Sequence, residues 1–262
     1  MVRALTNPYE YIHFLKAVHD RAPVDENLEI QFRDLTVAGQ QFLSLYRDCL
    51  GQTGATVESW KIFRRALRAL NLVKYYEYAA GLNGDRAECG VLSGFSSLLV
   101  SKVHRLLAPG YAGAGYHLID SFEGLSEPTQ QDAIGIRTTP EGRQEPVYSH
   151  DKGKLANSLE ATRSVMGDFP EVSFHKGWIP DVFADLPETT WSFVHVDVDL
   201  YEPTYRSLEY FVPRLVKGGC IINDDFASLL FPGGGQGWID YFGQKELPFV
   251  VLDSGQSVFI KE

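Results

Sequence analysis

The chain has 262 residues, 44% of them hydrophobic, which suits one large α/β domain or one domain with an extension. Its formal net charge of −10 leaves no basic surplus to neutralise phosphates or anionic lipid, so nucleic acid and membrane surfaces are excluded as expected partners. Three scattered cysteines (Cys49, Cys89, Cys220), no zinc-type spacing, no signal-peptide pattern and no membrane-spanning apolar run give the expectation of a soluble, cytoplasmic protein.

Residues 1–80 read as a helical extension packed on the main domain. Leu35, Phe42, Leu43, Leu45, Tyr46 and Leu50 fall at helical spacing, and so do Trp60, Phe63, Leu67, Leu70, Val73 and Tyr76. The basic first half of the second helix (Lys61, Arg64, Arg65, Arg68) reads as a solvated face. From Asp85 the pattern becomes strand and helix in alternation. Strands are predicted at 86–90, 116–119, 172–175, 193–198 and 220–223, with a helix at 94–107. A second helix opens at Glu202-Pro203, buries Leu208, Phe211, Val212 and Leu215, and ends at Gly218-Gly219. Segments 249–252 and 257–260 read as a terminal hairpin. The fold class is therefore α/β, with a mostly parallel sheet and an antiparallel C-terminal edge. Residues 121–153 lack periodicity and carry several prolines and glycines. They follow a strand end, where a loop of that length serves as a lid or is disordered.

Three constellations carry chemistry. The stretch AECGVLSGFSS (87–97) has the form of a strand, a turn and a helix start. Gly90 would admit a ligand close to the backbone, and Gly94 would let the helix begin tight against the strand. The spacing is not the dinucleotide fingerprint, and no phosphate-loop lysine is present. Glu88 would repel a pyrophosphate and suit a ligand amine. Asp120, at the end of the next strand, could accept ribose hydroxyls. An amine and a ribose without pyrophosphate is the composition of S-adenosylmethionine. Trp178 could cover an adenine face or be a core or rim tryptophan. The third constellation is acidic: Asp197 and Asp199 end one strand, and Asp224 and Asp225 end the next. Four converging carboxylates suit a hard divalent cation; the alternative is that they cap helices or face solvent.

The set AECGVLSGFSS, LIDSFEGL (118–125), FHKGWIPDVFADLP (174–187), HVDVDLYEPT (195–204) and GGCIINDDF (218–226) resembles the macrocin O-methyltransferase family, with FPGGG (231–235) continuing it. The resemblance implies a Rossmann-like methyltransferase domain over 81–262, and S-adenosylmethionine or S-adenosylhomocysteine held near Glu88, Gly90, Ser93, Gly94, Ser96, Asp120, Ser121, Phe122, Gly177 and Trp178. It implies Mg2+ held by Asp197, Asp224 and Asp225. The implied acceptor is a hydroxyl of a sugar or glycosylated natural product of antibiotic biosynthesis, and the implied assembly a homo-oligomer. The general base is expected among His150, His195 and Asp197, with either histidine equally readable as a structural imidazole. The lysine that follows the first metal acid in catechol O-methyltransferase, a distant relative, is replaced here by Leu200. Tyr9, Tyr11, Phe14, Tyr75, Tyr76 and Tyr78 are candidates for an aromatic acceptor wall. Two other classes remain open: a metal-dependent phosphoesterase, which would leave Glu88 and Asp120 idle, and a non-catalytic small-molecule binder.

Overall fold

A computed structural model describes residues 37–54 and 62–262; Tyr9, Tyr11, Phe14, Trp60, Lys61 and the start of the expected extension lie outside the described residues. Each strand predicted from the residue pattern is present. β1 (Asp85–Cys89), β2 (Tyr116–Asp120), β5 (Ser173–Lys176), β6 (Trp191–Val196), β7 (Leu215–Asn223), β8 (Val250–Val251) and β9 (Ser257–Ile260) form one seven-stranded sheet in the order β5-β2-β1-β6-β7-β9-β8. The five strands from β5 to β7 pair in parallel. β9 alone runs against its neighbours, and it lies between β7 and β8 rather than at the edge. The chain winds outward from β1 through β2 to β5, then returns to the other side of β1 for β6 and β7. Ligands bind where the winding reverses, at the carboxyl ends of the strands, which here means the ends of β1 and β6.

One boundary differs from expectation. Gly218-Gly219 does not close a helix but lies inside β7, where Gly218 N–H donates to Lys261 O (2.7 Å) and Lys261 N–H to Gly219 O (2.9 Å). The pairing of β7 on β6 slips at this point, from Trp191 opposite Leu215 to Phe193 opposite Cys220. The glycines absorb that bulge, where a side chain would crowd the Trp191 carbonyl.

Alternation along the strands divides the core in two. Leu118, Phe193, Cys220 and Ile222 face helices α1 (Val37–Thr53), α2 (Ile62–Ala79) and α3 (Phe95–Leu107), and pack with Phe42, Tyr46, Leu70, Val73, Tyr76, Leu98 and Leu99. Ile119, Val194, Val196 and Ile221 face the other way, toward α5 (Tyr201–Arg214) and α6 (Pro232–Lys245), and pack with Phe211, Trp238 and Phe242. The two N-terminal helices thus form, with α3, one of the two helical layers covering the sheet. Each large apolar side chain buried this way stabilises the fold by about 1.5–3 kcal/mol. Among the described residues no helix is long and apolar enough to cross a membrane.

Three elements were not expected. The 121–153 segment contains a separate hairpin, β3 (Gly135–Thr138) with β4 (Gln144–Val147), exposed on both faces and so without an apolar alternation to read. Its base is closed by Leu125 N–H on Lys154 O (2.8 Å) and Gly153 N–H on Leu125 O (2.9 Å). Short α4 (Leu159–Val165) follows, with Ser158 accepting from Ala161 N–H as its N-cap. The third is α6, whose first turns read Pro-Gly-Gly-Gly-Gln-Gly. Glycine disfavours a helix interior by roughly 1 kcal/mol each, yet these glycines are buried. A Cβ on Gly233 would sit 1.8 Å from Asp132 Oδ1, and one on Gly235 2.3 Å from Phe226 O. Close approach of the Asp132 side chain and of neighbouring backbone, not propensity, selects glycine there.

Candidate active site

β6 and β7 are paired with Val196 opposite Asn223, so the acids that follow leave the sheet side by side. Asp197 N–H donates to Cys89 O (2.8 Å) and Asp224 N–H to Val196 O (2.9 Å), which extends the ladder one residue past each strand and aims both side chains at one point. His195, Asp197 and Asp224 each offer an atom within 4.8 Å of the others. Asp225 does not join them as expected. Its Oδ2 accepts Asp199 N–H (2.9 Å), pinning Asp199 in a left-handed conformation at φ 63°. β7 ends at Asn223, and past it Asp225 takes the side of the turn. Gly234 N–H on Asp199 O (3.1 Å) ties the same turn to α6.

The electrostatics of the four acids diverge. Burial, then Asp224 and Asp225, push the Asp197 carboxyl up to about 8. Burial with Asp225 and Asp197 raises Asp199 well above the carboxylate range, and Asp225 is pushed up to about 6 by burial, the attraction of Arg68 only partly offsetting it. Asp224 goes the other way. Burial opposes its ionisation, but Arg68 and His195 hold it well below the usual range. Its Oδ2 takes Arg68 Nη2 at 2.8 Å; its Oδ1 takes Gln256 Nε2 at 2.6 Å and His195 Nε2 at 3.1 Å. His195 is 1% exposed and its other nitrogen faces Glu88 Oε1 at 3.4 Å. Burial disfavours its cation, but Asp224 and Glu88 raise its pKa well above the ordinary value. Its Nε2 is engaged by Asp224, whereas Nδ1 faces Glu88 without a formed hydrogen bond. His195 thus lies buried between Asp224 and Glu88.

Glu88 is 0% exposed, so it does not present itself to a ligand amine as expected. Its Oε2 accepts Ser97 Oγ (2.6 Å) and Tyr116 OH (2.7 Å), and its Oε1 accepts Ser96 Oγ. A buried carboxylate must be hydrogen-bonded, and these three hydroxyls do that. Ser96 is accordingly turned inward as well. The reason for Gly90 also changes: at φ 85°, a Cβ there would stand 1.9 Å from Asp197 O, so the close neighbour is the β6 backbone rather than a ligand. Gly94 is the left-handed N-cap of α3, its space bounded by Thr162 of α4.

Asp120 is half-buried and accepts three backbone N–H groups, Val91 (2.7 Å) and Leu92 (3.2 Å) on Oδ2 and Phe122 (2.7 Å) on Oδ1. It locks the β1–α3 turn, which holds Ser93, onto the end of β2, and keeps lone pairs for a hydroxyl. Ser121 donates to Gly124 O (3.0 Å) and Phe122 is buried at φ 55°. Gly177 N–H donates to Asp120 O (3.0 Å), which brings half-buried Trp178 to the same rim; at Gly177 a Cβ would stand 2.9 Å from Val182 Cβ. His150 lies elsewhere on the rim, stacked on Phe231 with centroids 4.9 Å apart; beside it Ser149 Oγ bonds Leu230 O.

Two site residues escaped the sequence. Arg68 turns inward onto Asp224 instead of lying on a solvated face, and four basic residues on one helix do not reveal which one does so. Asp132 caps the start of α5 through Tyr201 N–H (2.7 Å) and holds Thr129 N–H (2.7 Å). Its signal, Thr129 three residues ahead of an acid, is a capping-box pattern.

A family model described as Macrocin-O-methyltransferase (TylF) matches residues 59–248. The 8-demethyl-8-(2,3-dimethoxy-alpha-L-rhamnosyl)-tetracenomycin-C 4'-O-methyltransferase of Streptomyces olivaceus is 34% identical over 153 residues, 57% of this chain and 55% of that protein. The demethyldecarbamoylnovobiocin O-methyltransferase of Streptomyces niveus is 28% identical over 165 residues, 61% of this chain and 60% of that protein. The chain thus aligns with less than two thirds of the length of these relatives. Among solved structures, CalS11, a calicheamicin methyltransferase, aligns with a TM-score of 0.61 and 18% identity over 99% of this chain and 94% of its own. The O-methyltransferase NovP aligns with a TM-score of 0.58 and 22% identity over 74% of this chain and 79% of its own. At such identities these two establish the shared Rossmann-like fold. The family match spans both the β1–α3 turn and the acids after β6 and β7, and the chain belongs to the macrocin O-methyltransferase family.

Proposed function

We propose that this protein transfers a methyl group from S-adenosylmethionine to a hydroxyl of a sugar or glycosylated natural product, with a divalent cation, Mg2+, in its acid cluster. One contact supports this reading above the others. The turn expected to hold the methyl donor and the acids expected to hold the acceptor meet backbone to backbone, Gly90 against Asp197. Two ligands bound there would lie within one residue's width of each other, as in-line transfer requires.

The residues present fit Mg2+. Asp197, Asp199 and Asp225 are crowded enough that each resists ionising beside the others, which a hard cation with oxygen ligands relieves. Asp197 and Asp224 would hold the ion, with Asp225 adjoining. When bound, S-adenosylmethionine supplies the electrophilic methyl and Mg2+ the Lewis acidity that eases deprotonation of an acceptor hydroxyl. The chain's own contributions follow from placement. Among the described residues no hydrogen-bond donor reaches the Asp197 carboxylate, and His150 Nδ1 is likewise without a partner, so on this reading Asp197 or His150 is the group that accepts the proton. His195, buried between them, braces the Asp224 and Glu88 side chains. Asp120 orients ribose hydroxyls, and the 121–153 segment covers the acceptor. A soluble, cytoplasmic homo-oligomer is part of the same reading.

The test is methyl transfer to a panel of rhamnosylated and other glycosylated aromatic acceptors, read as one added methyl by mass, with Mg2+ and with chelator. The expected outcome is turnover that chelator abolishes. Absence of transfer to every acceptor, together with no binding of S-adenosylhomocysteine by folded protein, would remove the reading.

A further inference from the structure

We infer that Arg68 is a built-in counter-cation of the acid cluster, and that a divalent ion entering the site competes with it for Asp224. The inference rests on the divalent-cation reading above and adds to it a residue on α2, outside the strand-end motifs.

Among the described residues, Arg68 is the one lysine or arginine within ion-pair distance of the four acids. Its Nη2 lies 2.8 Å from Asp224 Oδ2, 2.7 Å from Asp224 O and 3.9 Å from Asp225 Oδ1. With Gln256 and His195 on Oδ1, every oxygen of the Asp224 carboxylate already has a donor. Oδ2 carries Arg68 alone, so an ion that takes Asp224 there shares that oxygen with the guanidinium and competes with it. His195 and Gln256 are 1% and 0% exposed, whereas the Arg68 side chain keeps 27% of its surface in solvent. Its Nε is a buried donor without an acceptor, so its own hydrogen bonding is incomplete where it stands. The helix behind it is anchored independently: Asn71 Nδ2 donates to Ser254 Oγ (3.0 Å) and Gln256 Nε2 to Arg68 O (3.3 Å). The arginine side chain can thus leave while α2 stays. Arg68 neutralises the acids of the ion-free protein, and the same charge works against the incoming ion.

The experiment compares wild type with Arg68→Met, Arg68→Gln and Arg68→Lys by calorimetric titration with Mg2+ and by thermal unfolding in chelator and in Mg2+. Met keeps the apolar stem without charge, Gln keeps an N–H donor for Asp224, and Lys keeps the charge. Met and Gln are expected to tighten Mg2+ binding by roughly tenfold or more, with Lys close to wild type. In chelator both neutral variants should melt below wild type, and saturating Mg2+ should close the gap. If Met does not fold in chelator, Gln decides. Mg2+ binding by wild type with equal or weaker binding by folded Arg68→Gln overturns the inference and leaves the divalent-cation reading standing. No Mg2+ binding by any of the four proteins overturns both. Binding by the neutral variants alone supports the inference in its strongest form.

Discussion

Asp197 and Asp224 stand one strand apart, yet burial and neighbours drive their carboxyls in opposite directions, up to about 8 for one and well down for the other. The difference is partners. Asp224 has three donors on its two oxygens, and Asp197 has none among the described residues. Replacing either with asparagine removes a charge from the reaction site without touching the β1–α3 turn. Methyl transfer is expected to fall about 100-fold or more, with S-adenosylhomocysteine affinity retained in calorimetry. Glu88 makes a separate prediction. Its Ser97, Tyr116 and His195 partners exist without any ligand, so Glu88→Gln should cost about 1–3 kcal/mol of stability in the unliganded protein, measured by urea unfolding. A Glu88 that served only a ligand would leave that stability unchanged.

At the scale of elements, α6 inverts the usual rule for glycine. In a free-standing helix a Gly→Ala change is worth roughly 1 kcal/mol in favour of the helix. Here a Cβ on Gly235 would meet Phe226 O at 2.3 Å and one on Gly234 would meet Asp225 Cβ at 2.7 Å. Gly235→Ala is expected to destabilise by about 1–3 kcal/mol and Gly234→Ala to disturb Asp225 as well; melting temperatures check both. The contact between α2 and α3 carries a pH dependence. His104 bonds Tyr76 OH at 2.6 Å, and burial followed by Arg86 lowers it from 6.5 to about 4. Unfolded chains therefore bind more protons between those values, and stability rises with pH across that window. Its contribution is complete above 6.5 and disappears as pH falls toward 4. Burial lowers His117 and His175 too, adding slope of the same sign. Asp197, Asp199, Asp225 and His195, with raised pKa values, slope the other way, so the check is a difference: relative to wild type, His104→Gln, which keeps an acceptor for Tyr76, should gain in urea midpoint as pH falls from 7.5 to 4.5.

For the whole molecule, the main consequence is that the N-terminal helices are structural rather than appended. Phe42, Tyr46, Leu70, Val73 and Tyr76 share one core with Leu98, Phe193 and Ile222. Removing residues 1–80 would expose the face of the sheet that carries Glu88 and His195. The 81–262 fragment is expected to show no cooperative thermal unfolding; a sharp transition by circular dichroism would contradict this. The same layer brings Arg68 to the acids, so fold and site depend on one packing event.

The sequence by itself determined the strands, the helices at α3 and α5, and the acids at two strand ends, because periodicity and turn residues act over a few positions. Even so, it misjudged the beginning of β7 and saw nothing of α6, α4 or the β3–β4 hairpin, whose residues follow contacts rather than period. Strand order, the insertion of β9 between β7 and β8, the closure of Glu88 and the inward turn of Arg68 were decided only by the tertiary structure. A buried carboxylate must find its donors wherever the fold delivers them. For Asp224 the donor comes from Arg68, 156 positions away in the chain. No local pattern carries information over that distance; only the docking of α2 on the sheet does.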